Sequence, residues 1–370
     1  MEVKRRHYLD NIRWTVTIAV ILYHVIYMYN AQGIPGVLGP VTNQKVQYQD
    51  VYQYFVYPWL MPIFFIVSGI SANLYLKSHT GKEFAKDRTV RLLVPTTIGL
   101  VAFHFVQGII NIQLSNAYAT MSALPFPGNV IGIAIATVLS GIGVLWYMQL
   151  LWLICMILLL IRVIEKGRLV KAAEKTPIWL VFLFAIAAWG AGLILNTPII
   201  AVYRLGFYTV FFLLGYFVFS SETVMEKMKK IFPVFLVIAI GLGVAFSIIY
   251  FGDNYADKPI NRGILFALYG YFGSLAILSG FAKFFDFSNA FTSFMSRKSL
   301  GLYMFHYLGI SAVALLVAKK GILPGAVIYL LSLLAGFATG FGLYALISLI
   351  PGYRVLVLGY KKKKAEKDSK

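Results

Sequence analysis

The sequence predicts an all-α, polytopic membrane protein: a bundle of about ten transmembrane helices with both termini in the cytoplasm. Of its 370 residues, 59% are hydrophobic and 16% are aromatic, and the mean hydropathy is +0.77. No water-soluble domain of this size has such a composition. The apolar residues also form continuous runs near the roughly 20 residues that a helix needs to cross a bilayer, without the alternation of a membrane barrel.

Ten such runs follow one another along the chain. Because lipid offers no partner for an unpaired backbone group, each run is predicted to be a helix. The predicted spans are 12–30, 55–76, 92–113, 141–162, 177–196, 201–220, 231–251, 262–284, 299–318 and 323–349. They form one predicted domain, 1–352, followed by a basic cytoplasmic tail, 353–370. No small-residue cleavage site follows the first run, so we expect an uncleaved span and not a signal peptide.

The net charge of +19 reflects the positions of the lysines and arginines. With the N-terminus inside, all but six of the 33 basic residues flank the inner ends of the predicted helices. This bias sets the orientation of membrane proteins, so the charge does not indicate a nucleic-acid partner. The lysine-rich tail is expected to anchor this topology and to form a solubilising end, with some affinity for anionic lipid in addition. The single cysteine, Cys155, allows no disulfide within the chain.

Two of the outer connections are long. Residues 31–54 and 113–140 are nearly uncharged and rich in Gly, Pro, Asn and Tyr. We expect both to be loops that pack over the bundle.

Three ionisable residues lie on one face of the first predicted helix. His24 follows Arg13 by eleven positions, which is three turns plus about 20°, or roughly 16 Å along the axis. Asp10 precedes Arg13 by three residues and joins the same face. Ionisable residues inside a membrane are costly and indicate function. His24 suits a general base, the alternative being a packing role, and Asp10 either pairs with Arg13 or caps the helix.

These residues also carry a resemblance. Leu9-Asp10-x-x-Arg13 with the later His24 resembles the N-terminal signature of the acyltransferase 3 family, whose members move acyl groups from cytoplasmic acyl-CoA to extracytoplasmic sugars and related acceptors. Further segments resemble family elements in the expected order: MPIFFIVSGISANL at 61–74, Arg88-Thr-Val-Arg91, Leu145-Trp146-Tyr147, FFLLGYF at 211–217 and SLGLYMFHY at 299–307. Some members carry a fused extracytoplasmic esterase-like domain. No segment of this sequence resembles that domain, so the match suggests a stand-alone enzyme.

The resemblance implies a donor site and a catalytic site. The predicted catalytic residues are His24, Asp10 and Arg13, with His24 as the base. The residues predicted to bind the phosphates of coenzyme A are Arg13, Lys86, Arg88 and Arg91, since guanidinium forks suit phosphate. The alternative for these cations is the orientation bias alone.

Four residues are predicted to contact the acceptor: His306, Tyr303, Trp146 and Arg204. His306 lies within the ninth predicted helix, with Tyr303 on its face, and it either binds substrate, supports His24 or packs. Trp146 and Arg204 lie near the outer interface, where an anchoring role is the alternative.

The predicted function is therefore an O-acyltransferase that uses acyl-CoA, with acetyl-CoA the expected donor, to modify a glycan, glycolipid or related acceptor of the envelope. The expected location is the bacterial plasma membrane. No metal is expected, because the histidines are scattered. The alternatives are a transporter or flippase of a polysaccharide or lipid-linked intermediate and a catalytically silent membrane partner. The sequence leaves the oligomeric state open, a homo-oligomer included.

Overall fold

Helices account for the regular structure of the chain. The computed structural model describes residues 5–33, 36–115, 117–194, 203–257 and 259–360. The α-helices there are α1 (His7–Met28), α2 (Val51–Leu76), α3 (Gly81–Arg88), α4 (Val94–Gly99), α5 (Phe105–Leu114), α6 (Ala117–Ser122), α7 (Gly128–Gly141), α8 (Trp146–Glu165), α9 (Arg168–Ala173), α10 (Ile178–Ile194), α11 (Leu205–Leu214), α12 (Glu222–Lys230), α13 (Phe232–Tyr250), α14 (Ile264–Phe284), α15 (Ala290–Leu316), α16 (Gly325–Leu349) and α17 (Pro351–Leu358). Three π-helical turns, Thr89–Leu93, Leu100–His104 and Gly215–Phe219, continue α3, α4 and α11.

Several of these helices, alone or joined to the element next to them, are long and apolar enough to cross a membrane. Within the described ranges, eight helical segments pass this test, and a ninth does if Leu205–Phe219 and Glu222–Lys230, bent by 101°, form one span. The helix α10 has 17 residues and ends at Ile194, which is the last described residue before 203. Each of the ten predicted runs therefore contains a helix, and the predicted class of all-α membrane protein is confirmed.

Residues 113–140 differ from the predicted loop, because they contain α6 and α7. Two glycines that flank this stretch, Gly108 and Gly141, are contact points between helices. A Cβ atom on Gly108 would lie 1.8 Å from the carbonyl oxygen of Thr137, and one on Gly141 would lie 2.7 Å from that of His104. Small residues let helix backbones approach closely in membranes, so α7 packs back against α5.

The helix α1 lies at the centre of the bundle. It contacts α2, α14, α15 and α16. By contrast, α13 and α16 lie at the periphery and expose apolar side chains such as Val237, Ile248 and Leu346. Because α1 is enclosed, its ionisable residues face other helices, where polar side chains in a membrane are normally found.

At its C-terminal end, the chain folds back onto the bundle. The helix α17 runs across the predicted boundary between the domain, which ends at 352, and the tail, which starts at 353, and it packs against α4. Val357 and Leu358 are buried. The lysine-rich residues 361–370 lie outside the described residues.

Two glycines hold α2 against the helix formed by α11 and its π-helical turn. A Cβ atom on Gly69 would lie 2.0 Å from the carbonyl oxygen of Phe212, and one on Gly215 would lie 2.2 Å from that of Ile66. In both cases the obstacle is backbone, which a rotamer change cannot move. The contact fixes the position of α2, which lines both cavities described below.

We predict that Gly215→Ala destabilises the protein, because the added methyl group must push two helix backbones apart. Overpacking of this kind costs about 1–3 kcal/mol. Thermal unfolding in detergent, followed by loss of the monodisperse species, measures the effect. Gly241→Ala in α13 is the matched control, since no atom lies within 4 Å of its added Cβ. Equal midpoints for the two variants would contradict the role of this contact.

Candidate active site

Two cavities lie towards opposite ends of α1. The first, here called the basic cavity, has a volume of about 540 Å³. It is lined by Arg13, Ser68, Ser71, Arg88, Arg91, Leu92, Leu151, Cys155, Arg297, Leu300, Tyr344, Leu358, Gly359 and Tyr360. The second, here called the aromatic cavity, has a volume of about 320 Å³. It is lined by Val20, Tyr23, His24, Tyr27, Gly36, Tyr57, Leu60, Met61, Asn111, Ser115, Ser140, Gly143, Val144, Trp146, Tyr208, Ala256 and Tyr307.

Four arginines from three parts of the sequence line the basic cavity. Arg13 belongs to α1, Arg88 and Arg91 lie in α3 and the π-helical turn after it, and Arg297 belongs to α15. The structure thus brings together three of the four cations predicted to bind a donor. The fourth, Lys86, is exposed and does not line this cavity.

The positive charge of the basic cavity is only partly compensated. Asp10 accepts a hydrogen bond from Arg13 at 2.7 Å and also pairs with Arg5 at 2.8 Å. Asp87 pairs with Arg91 at 2.7 Å and lies 3.9 Å from Arg88. Two carboxylates therefore face four lining guanidinium groups, and the cavity carries a surplus of positive charge that suits an anion.

Arg88 is held in place by aromatic rings. Its guanidinium carbon lies 4.9 Å from the ring centroid of Phe84 and 5.5 Å from that of Tyr75. Its Nε is buried and has no hydrogen-bond partner among the described residues. Stacking positions a guanidinium without using its donors, so Arg88 keeps donors available for a ligand.

His24 and His306 lie in direct contact at the other end of α1. The Nε2 atom of His306 lies 3.0 Å from the Nδ1 atom of His24. His306 is fully buried in α15, whereas His24 is only partly buried and lines the aromatic cavity. The two residues are 282 positions apart in the chain, so the helix pattern alone could not place them together.

The backbone around this pair determines the tautomers that we assign. The Nδ1 atom of His306 lies 2.9 Å from the carbonyl oxygens of Leu302 and Tyr303, and that of His24 lies 3.0 Å from the carbonyl oxygen of Val20. A carbonyl oxygen only accepts, so both Nδ1 atoms carry the proton. His24 then donates to His306, and the Nε2 of His24 keeps its lone pair. This is the arrangement that a general base requires.

The walls of the aromatic cavity combine rings with polar groups. The ring of His24 packs edge-on against Tyr27 and Tyr307, with centroids 6.0 Å and 5.1 Å away. Asn111, Ser115 and Ser140 line the side formed by α5 and α7. Aromatic faces with a few polar groups are typical of small-molecule sites. Apart from Trp146 and His24, the sequence analysis did not identify these lining residues.

A loop between α13 and α14 covers part of this cavity. Ala256 lines it, and the neighbouring Tyr255 is buried and donates a hydrogen bond to Gln53 at 2.6 Å. Burial raises the pKa of Tyr255 well above its ordinary value, so the hydroxyl stays protonated and the hydrogen bond is kept at neutral pH.

The predicted acceptor residues have different surroundings. Trp146 lines the aromatic cavity. Arg204 lies behind its wall, where it donates to the Tyr57 hydroxyl at 2.7 Å and lies over the ring of Phe266. Tyr303 is buried and donates to the carbonyl oxygen of Val144 at 2.6 Å. His306 reaches the cavity only through His24, and all four assignments stay predictions.

An aromatic layer separates the two cavities. The Tyr147 hydroxyl lies 2.8 Å from the hydroxyl of Ser68, which lines the basic cavity, while Trp146 beside it lines the aromatic cavity. The Tyr147 ring packs on Phe64 and Tyr303, with centroids 5.6 Å and 5.7 Å away. These three rings therefore occupy the space between the arginines and His24.

The histidine, cysteine and acidic side chains of the described residues also bear on the question of a metal site. No group of three or more His, Cys, Asp or Glu side chains there has the geometry to hold a metal ion.

We predict that the Nδ1 atom of His24 carries the proton in the neutral protein, because its neighbours are acceptors. Nitrogen NMR of histidine-labelled protein distinguishes the two tautomers, and His24→Gln identifies the signal. In His306→Ala, the loss of one acceptor should shift the His24 resonance and leave that of His79, which is exposed, unchanged. A His24 signal typical of a proton on Nε2 would contradict the assignment.

The comparison with known families agrees with this geometry. A family model described as an acyltransferase domain, Acyl_transf_3, matches residues 6–348. No curated protein and no solved structure matches the chain. Because the matched region includes nearly the whole chain, the chain belongs to the acyltransferase 3 family and is a multi-pass membrane acyltransferase.

Proposed function

We propose that the protein transfers an acetyl group from cytoplasmic acetyl-CoA to a hydroxyl group of an extracytoplasmic glycan, glycolipid or related acceptor in a bacterial cell envelope. One observation carries this proposal: the central helix α1 presents Arg13 to a cavity of arginines at one end and His24 to an aromatic cavity at the other. An anionic donor and a neutral hydroxyl acceptor require these two environments.

The basic cavity suits the phosphates of coenzyme A. Guanidinium groups bind phosphate oxygens through paired, charge-assisted hydrogen bonds, and Arg13, Arg88, Arg91 and Arg297 converge from separate helices. Asp10 and Asp87 orient these side chains through ion pairs. Asp10 thereby supports Arg13 and has no contact with the aromatic cavity, so its proposed role is positional.

The aromatic cavity suits a sugar hydroxyl. The Nε2 of His24 accepts the proton of the acceptor hydroxyl as its oxygen attacks the thioester carbonyl carbon. The new C–O bond forms, the C–S bond breaks, and the leaving coenzyme A thiolate takes up the proton that His24 received, which returns His24 to its neutral form. The positive charge that develops on His24 is stabilised through its Nδ1–H, which donates to His306.

The proposed orientation follows from charge. Lysines and arginines concentrate at the end of the bundle that holds the basic cavity, and such residues favour the cytoplasm. Acetyl-CoA is a cytoplasmic metabolite, so the basic cavity would face its supply. The aromatic cavity, lined by Gly36 and Ala256 of the opposite loops, would then face the envelope.

We predict that His24→Ala abolishes acetyl transfer while the protein still folds and binds acetyl-CoA, because the base is lost and the basic cavity is intact. General bases contribute about 10²–10⁴-fold. Purified protein, radiolabelled acetyl-CoA and envelope extract provide the assay, and binding of acetyl-CoA is titrated separately. The control is His79→Ala, which removes an exposed histidine outside both cavities.

Unchanged transfer by the His24 variant would rule out this base. If the wild-type protein instead moved a glycan or lipid-linked substrate into liposomes without acetyl-CoA, the transporter alternative would replace the proposal.

We also predict that Arg88→Ala weakens acetyl-CoA binding by about 10–100-fold, the value of one hydrogen bond to a charged group. Because Arg88 is remote from His24, the KM for acetyl-CoA should rise more than kcat falls. Arg168→Ala removes an exposed arginine of α9 that lines neither cavity and should leave both constants unchanged. A fall in kcat at constant KM would contradict a binding role.

A further inference from the structure

A third cavity lies at the same end of the bundle as the basic cavity. Its volume is about 930 Å³, and it opens widely to the outside. Five basic side chains line it: Lys77, Lys82, Arg162, Lys166 and Lys171. Two carboxylates, Glu165 and Glu174, also line it, so its formal charge is positive. We call it the outer basic cavity.

The outer basic cavity continues the basic cavity along the same helices. On α8, Leu151 and Cys155 line the basic cavity, and Leu159 lines the outer one. Residues four apart on a helix are neighbours on one face. The groove therefore passes from one cavity to the next within a single turn of α8.

On the opposite wall, which α3 and the π-helical turn after it form, residues that line the basic cavity are again adjacent along the helix to residues that line the outer one. Arg88 and Arg91 line the basic cavity, and Lys82 and Ala85 line the outer one. Ala85 and Arg88 are three residues apart and share a face. From Arg91 to Lys82 the helix covers about 13 Å, so a ligand that reaches both cavities must be long and carry negative charge at two places.

A buried amide at the wall of the outer cavity lacks a partner. Asn73 lines this cavity and is 5% exposed. Its Nδ2 donates to the carbonyl oxygen of Tyr216 at 3.0 Å, and its buried Oδ1 has no hydrogen-bond partner among the described residues. A buried acceptor without a partner is costly, and a donor on a bound ligand, such as an exocyclic amine or a ribose hydroxyl, would satisfy it.

We propose that the outer basic cavity binds the 3′-phosphorylated adenosine end of coenzyme A while the four arginines of the basic cavity bind its diphosphate. This inference rests on the proposed function, and it divides the donor site into two subsites. Lys82 and Lys171, which approach from α3 and α9, contact the 3′-phosphate. The acyl end then points away from the outer cavity, towards α1 and His24.

The experiment compares coenzyme A with 3′-dephospho-coenzyme A, which lacks only the phosphate assigned to the outer cavity. Binding of each to the purified full-length protein is titrated by calorimetry in nanodiscs. The wild-type protein should bind coenzyme A about tenfold or more tightly than the dephospho form, as expected for a charge-assisted contact. The double variant Lys82→Ala/Lys171→Ala should bind coenzyme A only as tightly as the wild-type protein binds the dephospho form. Its affinity for the dephospho form should equal that of the wild-type protein.

The control double variant is Arg168→Ala/Lys175→Ala. It removes the same charge from exposed positions next to Lys171 that do not line the cavity. Its preference for coenzyme A should equal that of the wild type. An equal loss of preference in both double variants would indicate a general effect of charge and overturn the subsite.

The remaining outcomes separate this inference from the proposed function. Equal affinity of the wild-type protein for both ligands would overturn the subsite and leave the donor site standing, whereas no binding of either would overturn the proposed function itself. Titrations in phosphatidylcholine and in phosphatidylglycerol nanodiscs distinguish nucleotide from lipid phosphate. A preference that persists in both supports the subsite, and one that phosphatidylglycerol abolishes assigns the cavity to a lipid headgroup.

Discussion

The hydrogen bond between His24 and His306 connects the two central helices, α1 and α15, at the point where the polar face of α1 meets the aromatic cavity. Interhelical hydrogen bonds in membrane proteins stabilise by only about 0.6 kcal/mol on average. The hydrogen bond between His24 and His306 matters more for geometry than for stability, because it selects the tautomer of His24 and orients its ring. The backbone carbonyls beside both Nδ1 atoms enforce the same choice, so the lone pair of His24 Nε2 is fixed by the helices themselves.

The helix α1 connects two regions that differ in charge. Arg13 lies in a cavity with three further arginines, where Asp10 pairs with Arg13 and Asp87 pairs with Arg91. His24 lies among rings with no carboxylate of the described residues in contact. In the proposed function, a charged donor binds where arginines compensate its charge, and His24 reacts in surroundings that hold no charged partner.

Much of this arrangement was predictable from spacing within single helices. The helical period placed Asp10, Arg13 and His24 on one face, and the three-residue interval placed Arg88 beside Arg91. Contacts between distant helices were not predictable, because the sequence contains no signal for which helices are neighbours. The pairing of His24 with His306 and the entry of Arg297 into the basic cavity are of this kind. The helix α7 was missed for another reason: it contains Gly128 and Gly132, and glycine-rich segments also form loops.

The proposed chemistry gives a reason for the aromatic layer between the two cavities. A water-filled path from the basic cavity to His24 would bring water to the same base that activates the acceptor, and the thioester would be hydrolysed. Tyr147, Phe64 and Tyr303 fill this space with packed rings, which leaves no room for a continuous column of water. The hydrogen bond of Tyr147 to Ser68 ties the layer to the wall of the basic cavity. In the proposed mechanism, the donor's acyl arm displaces these rings on entry and takes their place between the cavities, so His24 meets the thioester only when the arm fills this path.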